Sequence, residues 1–538
     1  MLLFTSSCIN NNERSFNSLF LAFNKWFFIH HPEISNNFDS YTFYIKNKKG
    51  DLDYLNEYSF DIKRFNLELS QIQKENLTKN SYHEYISLNE KLNSLSLKYQ
   101  YQDYNIDPSY YIESLNWYFM NLLLSESISN NDKILLINDT FNHIFKYIER
   151  TKKNFLKSND YLIDKSLNKI NLTIDLLENI PNYIDLTDTV LIDLENKISK
   201  NTNLILSYKN WLQTKLKKEE DLTRDHMILL LNNHIMDVEK KYNYRDILNH
   251  LEKDIKKIRK KIFNASFSLN NKEIEKDTVS LIIDLINEPD KKNNIYKDYS
   301  SRIINFNNRY KEILSFLESS RIVYNIDILD INFPHYNMMF DNFDDSFIIA
   351  NPYYNNPKLN LIINSSNNSN LSKRDIDFFI IEEILSRTLY KNNNNNMRIN
   401  IYNDVNHYAW GKILSEILIK NGYSSENYQL FHDIRLLHDF AKIFIKYKYY
   451  TQEITEKEAM EFLLEHTFLD IDSSNRFLSE ITYEYSENNL EYYAAYKYVE
   501  NLFNTNCIIS NKMTDGSFIK KIFKYGFLPV YNYKSILN

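Results

Sequence analysis

The sequence predicts a mainly α-helical protein with a few short β-strands, on three observations. The 538 residues include only 5 glycines and 8 prolines, so few residues of the chain favour tight turns or interrupt helices. Apolar residues recur at intervals of three and four along most of the chain, which is the period of one helix face. Alternating or continuous β-branched stretches are confined to residues 321–365. We therefore expect a large, bundle-like assembly of many helices with a small amount of sheet.

Composition excludes several classes of function. The formal net charge is −7 and 25% of the residues are charged, so nothing directs the chain toward nucleic acid or an anionic membrane. Five glycines are too few for us to expect a phosphate-binding loop of the P-loop or dinucleotide kind. The 2 cysteines cannot build a disulfide framework or a cysteine-based zinc site.

A chain of this length can bury a large core and form two or three lobes.

The N-terminal residues have the features of the end of a lipoprotein signal. Ser6 and Ser7 precede Cys8, and a polar segment follows it, but the basic region and most of an apolar core of about 7–15 residues are missing. Two explanations stay open: the start codon lies further upstream, or the similarity is accidental. Lipidation at Cys8 would place the protein in the cell envelope, and without it the protein would be cytoplasmic. The sequence contains no run of about 18 apolar residues that could span a membrane. A lipid on Cys8 is therefore the only membrane contact that we predict.

Residues 1–14 are thus interpreted as a signal remnant and tether, and residues 15–315 as an N-terminal helical region. Its first helix, at 15–31, has an apolar face of Phe16, Leu19, Phe20, Phe23, Trp26 and Phe27. A later helix near 245–263 has a narrow apolar seam of Leu248, Leu251, Ile255, Ile258 and Ile262. Lysines cover the rest of that helix without interleaved aromatic residues, which favours a solvated face over a nucleic-acid site.

Residues 316–538 form the predicted C-terminal region. Its stretches 322–331 and 359–364 are typical of short strands. Phe378–Tyr390 then predicts an amphipathic helix with an apolar face of Phe378, Ile381, Ile384, Leu385 and Leu389. Glu383 and Arg387 lie on the opposite face. Glu382 lies at the edge of the apolar face, which is unusual for a carboxylate.

Two further patterns in this region concern local contacts. Arg435 and Asp439 are four residues apart, so they can pair on one helix face. Thr455 and Glu458 predict a capping box at the start of a helix.

Phe378–Tyr390 and its flanks resemble the central motif of a bacterial zinc-peptidase-like family, the domain of unknown function numbered 885. There a helix carries His-Glu-x-x-Pro-Gly-His-His after a short segment that ends in Asn. Asn364 matches the upstream Asn, Glu382 matches the Glu, and Ile381 falls on the first His. Leu385–Ser386 replaces Pro-Gly, and Arg387–Thr388 replaces His-His. Without Pro-Gly, the helix is expected to run on straight where that of the family is broken.

The resemblance extends over nearly the whole chain and is clearest after residue 345. The family has a third metal ligand, a Glu in Glu-Gly-Trp-Ala, whose position falls on Asn406 or on Tyr408 depending on the alignment. Arg435 and Asp439 match an Arg-Leu-x-x-Asp helix, and Tyr493 or a neighbour matches a substrate-side Tyr. The resemblance therefore implies a cleft that binds a peptide or small molecule through Asn364, Arg435, Asp439 and Tyr493.

The same comparison predicts that zinc is lost and that no other cofactor replaces it. A catalytic zinc ion needs about three protein ligands with lone pairs, and the family's three positions no longer supply them. Glu382 is then a vestigial catalytic residue without a metal-bound water to activate. Because a buried carboxylate needs a partner, we expect it to pair with Arg435.

Three hypotheses follow. The first is a catalytically degenerate metallopeptidase-like protein that binds a ligand or has no activity. The second is a working hydrolase with a metal site rebuilt near His407, His432, His438 and Glu382. His432 and His438 are six residues apart, about 240° around a helix, so they do not share a face. The third is a structural or partner-binding envelope protein. No serine or cysteine nucleophile motif is present.

Overall fold

The structure is a computed structural model of the 538-residue chain. It describes residues 11–30, 52–100, 108–124, 128–155, 158, 160–184, 188–215, 243–269, 275–287, 299–323, 330–333, 347–350, 358–363, 373–391, 404–423, 428–483, 490–524 and 528–537. Helices dominate these residues, which confirms the mainly α-helical fold class. None of the described helices is both long and apolar enough to cross a bilayer.

The first half of the described chain contains seven α-helices around one apolar core. They are α1 (Asn11–His30), α2 (Leu52–Ser70), α3 (Lys79–Gln100), α4 (Ser109–Leu124), α5 (Asn130–Asn154), α6 (Asp160–Asn179) and α7 (Asp188–Gln213). Nearly all of their buried apolar residues form a single cluster that runs from Phe16 to Leu212. The predicted apolar face of α1 is entirely buried in it. Trp26 also donates from Nε1 to Asp61 Oδ2 at 2.9 Å, which ties α1 to α2.

A second apolar cluster begins at Tyr244 and ends at Leu537. Its first three helices are α8 (Tyr244–Leu269), α9 (Glu275–Asn287) and α10 (Tyr299–Ser319). These helices share an apolar cluster with the C-terminal helices, so this cluster includes residues of the predicted N-terminal region 15–315, whose boundary stays a prediction. The predicted seam of α8 is confirmed, since four of its five residues are buried and Ile258 is partly buried against the same cluster.

Three short strands form a mixed sheet in the region where strands were predicted. They are β1 (Asp330–Asn332), β2 (Phe347–Ala350) and β3 (Lys358–Ile363), in the order β1-β3-β2. β3 is parallel to β1, with Ile331 opposite Leu359, and antiparallel to β2, with Ile349 opposite Leu361. Leu359 and Leu361 of the central strand join the second core.

The remaining helices complete the second half. They are α11 (Lys373–Phe379), a π-helix (Ile380–Leu385), α12 (Ser386–Lys391), α13 (Asp404–Lys420), α14 (Tyr428–Tyr450), α15 (Glu456–His466), α16 (Ile471–Tyr483), α17 (Leu490–Phe503), a second π-helix (Asn504–Ile509), α18 (Asp515–Phe523) and α19 (Tyr533–Leu537). The short 3-10 helices are Lys74–Asn76, Ile180–Tyr183 and Val530–Asn532. The predicted capping box is present, because Thr455 and Glu458 each bond the backbone N–H of the other.

A buried ion pair fixes the start of the segment that carries Glu382. Asp377 on α11 is fully buried and accepts two hydrogen bonds from Arg309 on α10, at 2.6 Å from Nε and 2.5 Å from Nη2. Tyr423 also donates to Asp377 at 3.2 Å. Because the paired donors of Arg309 match both carboxylate oxygens, the pair sets the position of α11 against α10 as well as its charge balance.

We predict that Asp377→Ala destabilises the protein by about 3–5 kcal/mol, because it leaves the Arg309 cation buried without its main partner. The matched control is Asp193→Ala. Asp193 pairs with Lys197 on an exposed helix face, and its loss should cost about 0.5 kcal/mol or less. Urea unfolding followed by circular dichroism measures both changes. Equal effects of the two substitutions would contradict a structural role for the Arg309–Asp377 pair.

Candidate functional site

The candidate site is built on a π-helical turn within the predicted amphipathic helix. All five predicted apolar residues are buried, and Glu382 is 7% exposed. The helix continues without a break from Lys373 to Lys391, but it is not α-helical throughout, because Ile380–Leu385 forms a π-helix between α11 and α12. A π-turn holds an extra residue relative to an α-turn and is frequent at functional sites. Here Glu382 lies within it, beside four buried apolar residues and the partly exposed Glu383.

Gly411 lets α13 approach this π-turn closely. A β-carbon at Gly411 would lie 2.8 Å from the carbonyl oxygen of Glu382, which is closer than side-chain atoms pack. The glycine therefore permits backbone contact between the two elements. Lys412 follows directly, and its side chain reaches the carboxylate of Glu382.

Four charged side chains meet at this place, and we call them the ion cluster: Glu382, Lys412, Arg435 and Asp439. Glu382 Oε2 accepts hydrogen bonds from Lys412 Nζ at 3.0 Å and from Arg435 Nη2 at 3.1 Å. Lys412 Nζ also lies 3.1 Å from Asp439 Oδ2. The predicted Glu382–Arg435 pair is confirmed. Lys412 was missed, because a lysine on an apolar helix is not distinguishable in the sequence from a solvated one.

The electrostatics of the ion cluster keep both acids ionised. Burial would raise the pKa of Glu382, but the positive charges of Arg435 and Lys412 outweigh it and hold that pKa below its usual value. Burial acts on Asp439 in the same way, and Lys412 and Arg435 again lower its pKa. Tyr408 donates to Asp439 Oδ2 at 3.1 Å. Burial and the Asp439 charge raise the pKa of Tyr408, so this side chain remains a neutral donor.

The residues that the resemblance places at metal-ligand positions make other contacts. Ile381 is buried in the apolar core. Thr388 Oγ1 donates to the Ile384 carbonyl at 2.8 Å and lies 3.2 Å from the Tyr310 hydroxyl. Of the two alternatives for the third ligand, Tyr408 lies at the ion cluster. Asn406 bonds the Leu528 carbonyl and the Tyr533 hydroxyl at the C-terminal segment instead.

The structure separates the other predicted binding residues. Tyr493 donates to Asp254 on α8 at 2.9 Å, which is a contact between α17 and α8 and not with a member of the ion cluster. Its neighbour Tyr492 instead packs edge-on against Tyr408, with ring centroids 5.1 Å apart. Tyr492 is thus the α17 tyrosine that lies beside the site. Asn364 and Cys8 lie outside the described residues.

The three histidines proposed for a rebuilt metal site make three different contacts. His407 Nε2 lies 2.7 Å from Glu383 Oε2, and His438 Nε2 lies 3.1 Å from the Thr467 carbonyl. His432 is buried, with Nε2 3.9 Å from Glu416 Oε1. In the part of the chain that the structure describes, no group of three or more His, Cys, Asp and Glu side chains has an arrangement suited to a metal ion.

His407 also forms a chain of contacts that has the residue types of a hydrolase triad. Its Nδ1 lies 3.1 Å from Ser386 Oγ, and its Nε2 contacts Glu383. The exposure is the reverse of what catalysis needs, since Ser386 is fully buried and the Glu383 side chain is 39% exposed. Ser386 Oγ also lies 3.3 Å from the Glu383 carbonyl. A buried hydroxyl cannot attack an incoming substrate, so these contacts tie α13 to the π-turn.

Solvent reaches the ion cluster from the side of α14. The side chain of Arg435 is 44% exposed and that of Asp439 is 26% exposed, whereas Lys412 and Glu382 lie beneath them at 4% and 8%. The Arg435 guanidinium lies over the ring of Phe378, 4.5 Å from its centroid. The arrangement offers charged and hydrogen-bonding groups to solvent, and no activated nucleophile lies among the described residues of the site.

Comparison with known proteins identifies the fold but no family. No family model matches the chain, and no curated protein matches it. Two solved structures are similar over almost their whole length. One, named a "putative lipoprotein of unknown function" from Shewanella oneidensis, is 14% identical, with a TM-score of 0.65 and coverage of 97% of this chain and 98% of that one. The other, named a "putative lipoprotein" from Colwellia psychrerythraea, is 10% identical, with a TM-score of 0.74 and coverage of 98% of each chain.

We predict that Glu382→Gln destabilises the protein by about 1–3 kcal/mol near neutral pH, because Lys412 and Arg435 lose a charged acceptor. The lowered pKa of Glu382 means that its contribution is present above the unfolded value of about 4.3 and is lost as pH falls through the folded value. The difference between wild type and variant should therefore shrink as pH falls from about 7 to about 3. Urea unfolding at a series of pH values measures it.

The matched control for this experiment is Glu461→Gln, at an exposed position that pairs with Lys457 at 3.7 Å. That substitution should change stability little at any pH. A Glu382→Gln effect of the same size at both ends of the pH range would show that folding does not lower the pKa of Glu382.

Proposed function

We propose that this chain is a catalytically inactive, zinc-peptidase-like protein of the cell envelope that binds a ligand at the ion cluster. The observation that carries the proposal is the position of Lys412. Its ammonium group lies 3.0 Å from the carboxylate that aligns with the family's catalytic Glu. A carboxylate held by two cations and kept ionised is a poor acceptor for a proton from water.

The residues at the site do not fit a catalytic zinc ion. Ile381 has no lone pair, and Lys412 and Arg435 are cations that repel a metal. Tyr408, at the position of the third ligand, is a neutral donor to Asp439. Lys412 and Arg435 instead balance the charges of Glu382 and Asp439. We derive no reaction step through a metal for this chain.

Ligand binding is favoured over a purely structural role by the opening above the ion cluster. Arg435 is exposed, and Tyr408 and Tyr492 are half-buried beside it. A helical shell without a ligand would bury more by filling this place with apolar side chains. The opening therefore supports the binding alternative.

Location in the cell envelope is supported by two independent features. Cys8 follows Ser6 and Ser7 and precedes a polar segment. The solved proteins with the same fold from Shewanella and Colwellia both have names that include the words "putative lipoprotein". A lipid on Cys8 would anchor the helical body outside the bilayer.

We predict that the purified full-length protein contains far less than one zinc ion per chain and does not hydrolyse peptides. Elemental analysis measures the metal, and a chelator should leave the melting temperature unchanged. Hydrolysis is measured on a peptide library by mass spectrometry. Stoichiometric zinc that is lost in His438→Ala, together with peptide cleavage, would overturn the proposal in favour of a rebuilt hydrolase.

We also predict that Cys8 carries a lipid in the protein expressed from its own gene with the natural upstream sequence. Wild type should fractionate with membranes and incorporate labelled palmitate, and Cys8→Ser should lose both properties. Cys507→Ser is the matched control, because Cys507 is a free, buried cysteine in the second π-helix. Unlabelled wild-type protein in the soluble fraction would contradict envelope anchoring and leave the binding proposal standing.

A further inference from the structure

Arg435 is the most solvent-exposed residue in the mostly buried part of α14. α14 is described along its whole length, and between Leu430 and Tyr450 the one residue exposed to solvent is Arg435. Asp439, one helical turn further along the same face, is partly exposed. Solvent therefore reaches this central helix beside one cation and one carboxylate.

Arg435 has hydrogen-bonding capacity that its contact with Glu382 does not use. A guanidinium group carries five N–H donors, and the Glu382 carboxylate receives one of them, from Nη2. One flat face of the guanidinium group lies over the Phe378 ring. Its other N–H donors point outward from the edge of the guanidinium plane. A planar group with free paired donors is suited to bind a carboxylate through two hydrogen bonds.

Asp439 has the complementary capacity. Lys412 and Tyr408 both bond Oδ2, at 3.1 Å each. No described residue gives Oδ1 a hydrogen bond or an ion pair. Because the pKa of Asp439 is lowered by Lys412 and Arg435, this oxygen is an ionised acceptor at neutral pH. An ammonium group is the ligand group that it would bind most strongly.

The charge balance of the ion cluster decides which ligand fits. The two carboxylates and two cations give the ion cluster a net charge of zero. A ligand with a single charge is therefore attracted by the groups of opposite sign and repelled by the groups of the same sign. A ligand with both charges is attracted at both ends. Residues four apart on a helix have their β-carbons about 5–6 Å apart, so the two ligand charges must be close together.

We propose that Arg435 and Asp439 bind a small zwitterion, with the ligand carboxylate on the Arg435 guanidinium and the ligand ammonium on Asp439 Oδ1. A free α-amino acid or a dipeptide has this chemistry. Tyr408 and Tyr492 lie beside Asp439 and Phe378 lies beneath Arg435, so an aromatic or apolar ligand side chain has surface to pack against. This inference rests on the proposed binding function of the same site.

The test measures binding to the full-length protein by isothermal titration calorimetry. The probes are L-phenylalanine, its N-acetyl derivative, its amide, and the dipeptide alanyl-phenylalanine. We expect L-phenylalanine or the dipeptide to bind. Each blocked derivative should bind at least about 30-fold more weakly, because it leaves one charged group of the protein unpaired.

Protein variants test each contact separately. Arg435→Gln and Asp439→Asn should each weaken binding of the zwitterion about 30-fold or more. Arg435→Lys keeps the charge that Glu382 needs but removes the paired donors, so it should fold normally and still bind more weakly. The matched control is Arg259→Gln. Arg259 lies on α8 and not on α14, and its guanidinium also lies over a phenylalanine ring, that of Phe468. Circular dichroism verifies that every variant is folded.

The outcomes separate this inference from the proposed function. Equal binding of N-acetyl-phenylalanine and phenylalanine would show a site for carboxylate alone and overturn the role of Asp439. No binding of any probe, with no zinc and no cleavage, would overturn the zwitterion inference but not the inactive, zinc-free character of the protein. Cleavage of alanyl-phenylalanine by the zinc-bearing protein would overturn the proposed function.

Discussion

The contact on which the second half of the protein depends is that of the Lys412 ammonium group with the carboxylates of Glu382 and Asp439. These two acids come from the π-turn and from α14, and both lie largely out of water. Two ionised carboxylates so placed would repel each other unless a cation lay between them. Lys412 supplies that cation from α13. The need for this cation also determines how α13 packs. Gly411 lies against the Glu382 backbone, and this close approach brings Lys412, the next residue, to the Glu382 carboxylate.

In the proposed function, this contact takes the place that a metal ion has in a hydrolase with a comparable carboxylate. A metal ion polarises water and leaves a nearby carboxylate free to accept its proton. An ammonium group only donates hydrogen bonds, and it makes the carboxylate less basic. Lys412 therefore balances the charge as a metal would, but without generating a nucleophile. The neighbouring Ser386, His407 and Glu383 do not supply one either, because their serine is enclosed within the helix packing.

Features of the fold that depend on one helix face were predictable, because a repeat of apolar residues reports directly on burial. The faces of α1 and α8 and the capping box at Thr455 are examples. Glu382 was recognisable for the same reason, as a carboxylate at the edge of an apolar face. Features that depend on two distant helices were not predictable. Lys412 looks like an ordinary helix lysine in the sequence, and the choice between Tyr492 and Tyr493 depends on a one-residue rotation of α17. The π-turn is an adjustment to packing and has no sequence signal of its own.

The stability of the protein alone does not account for the ion cluster. Charged groups taken out of water gain about as much from one another as they lose in solvation, and well-packed apolar residues of similar size serve a core as well or better. An apolar set at positions 382, 412, 435 and 439 would also close the opening above α14. The cluster instead holds one edge of Arg435 and one oxygen of Asp439 toward solvent, in fixed positions and with their charges balanced from below. Fixed charged groups bind a ligand with little loss of side-chain freedom, because the surrounding contacts have already ordered them. The proposed binding role thus accounts for the exposure of Arg435 and Asp439 as well as for the buried Glu382 and Lys412 that balance their charges.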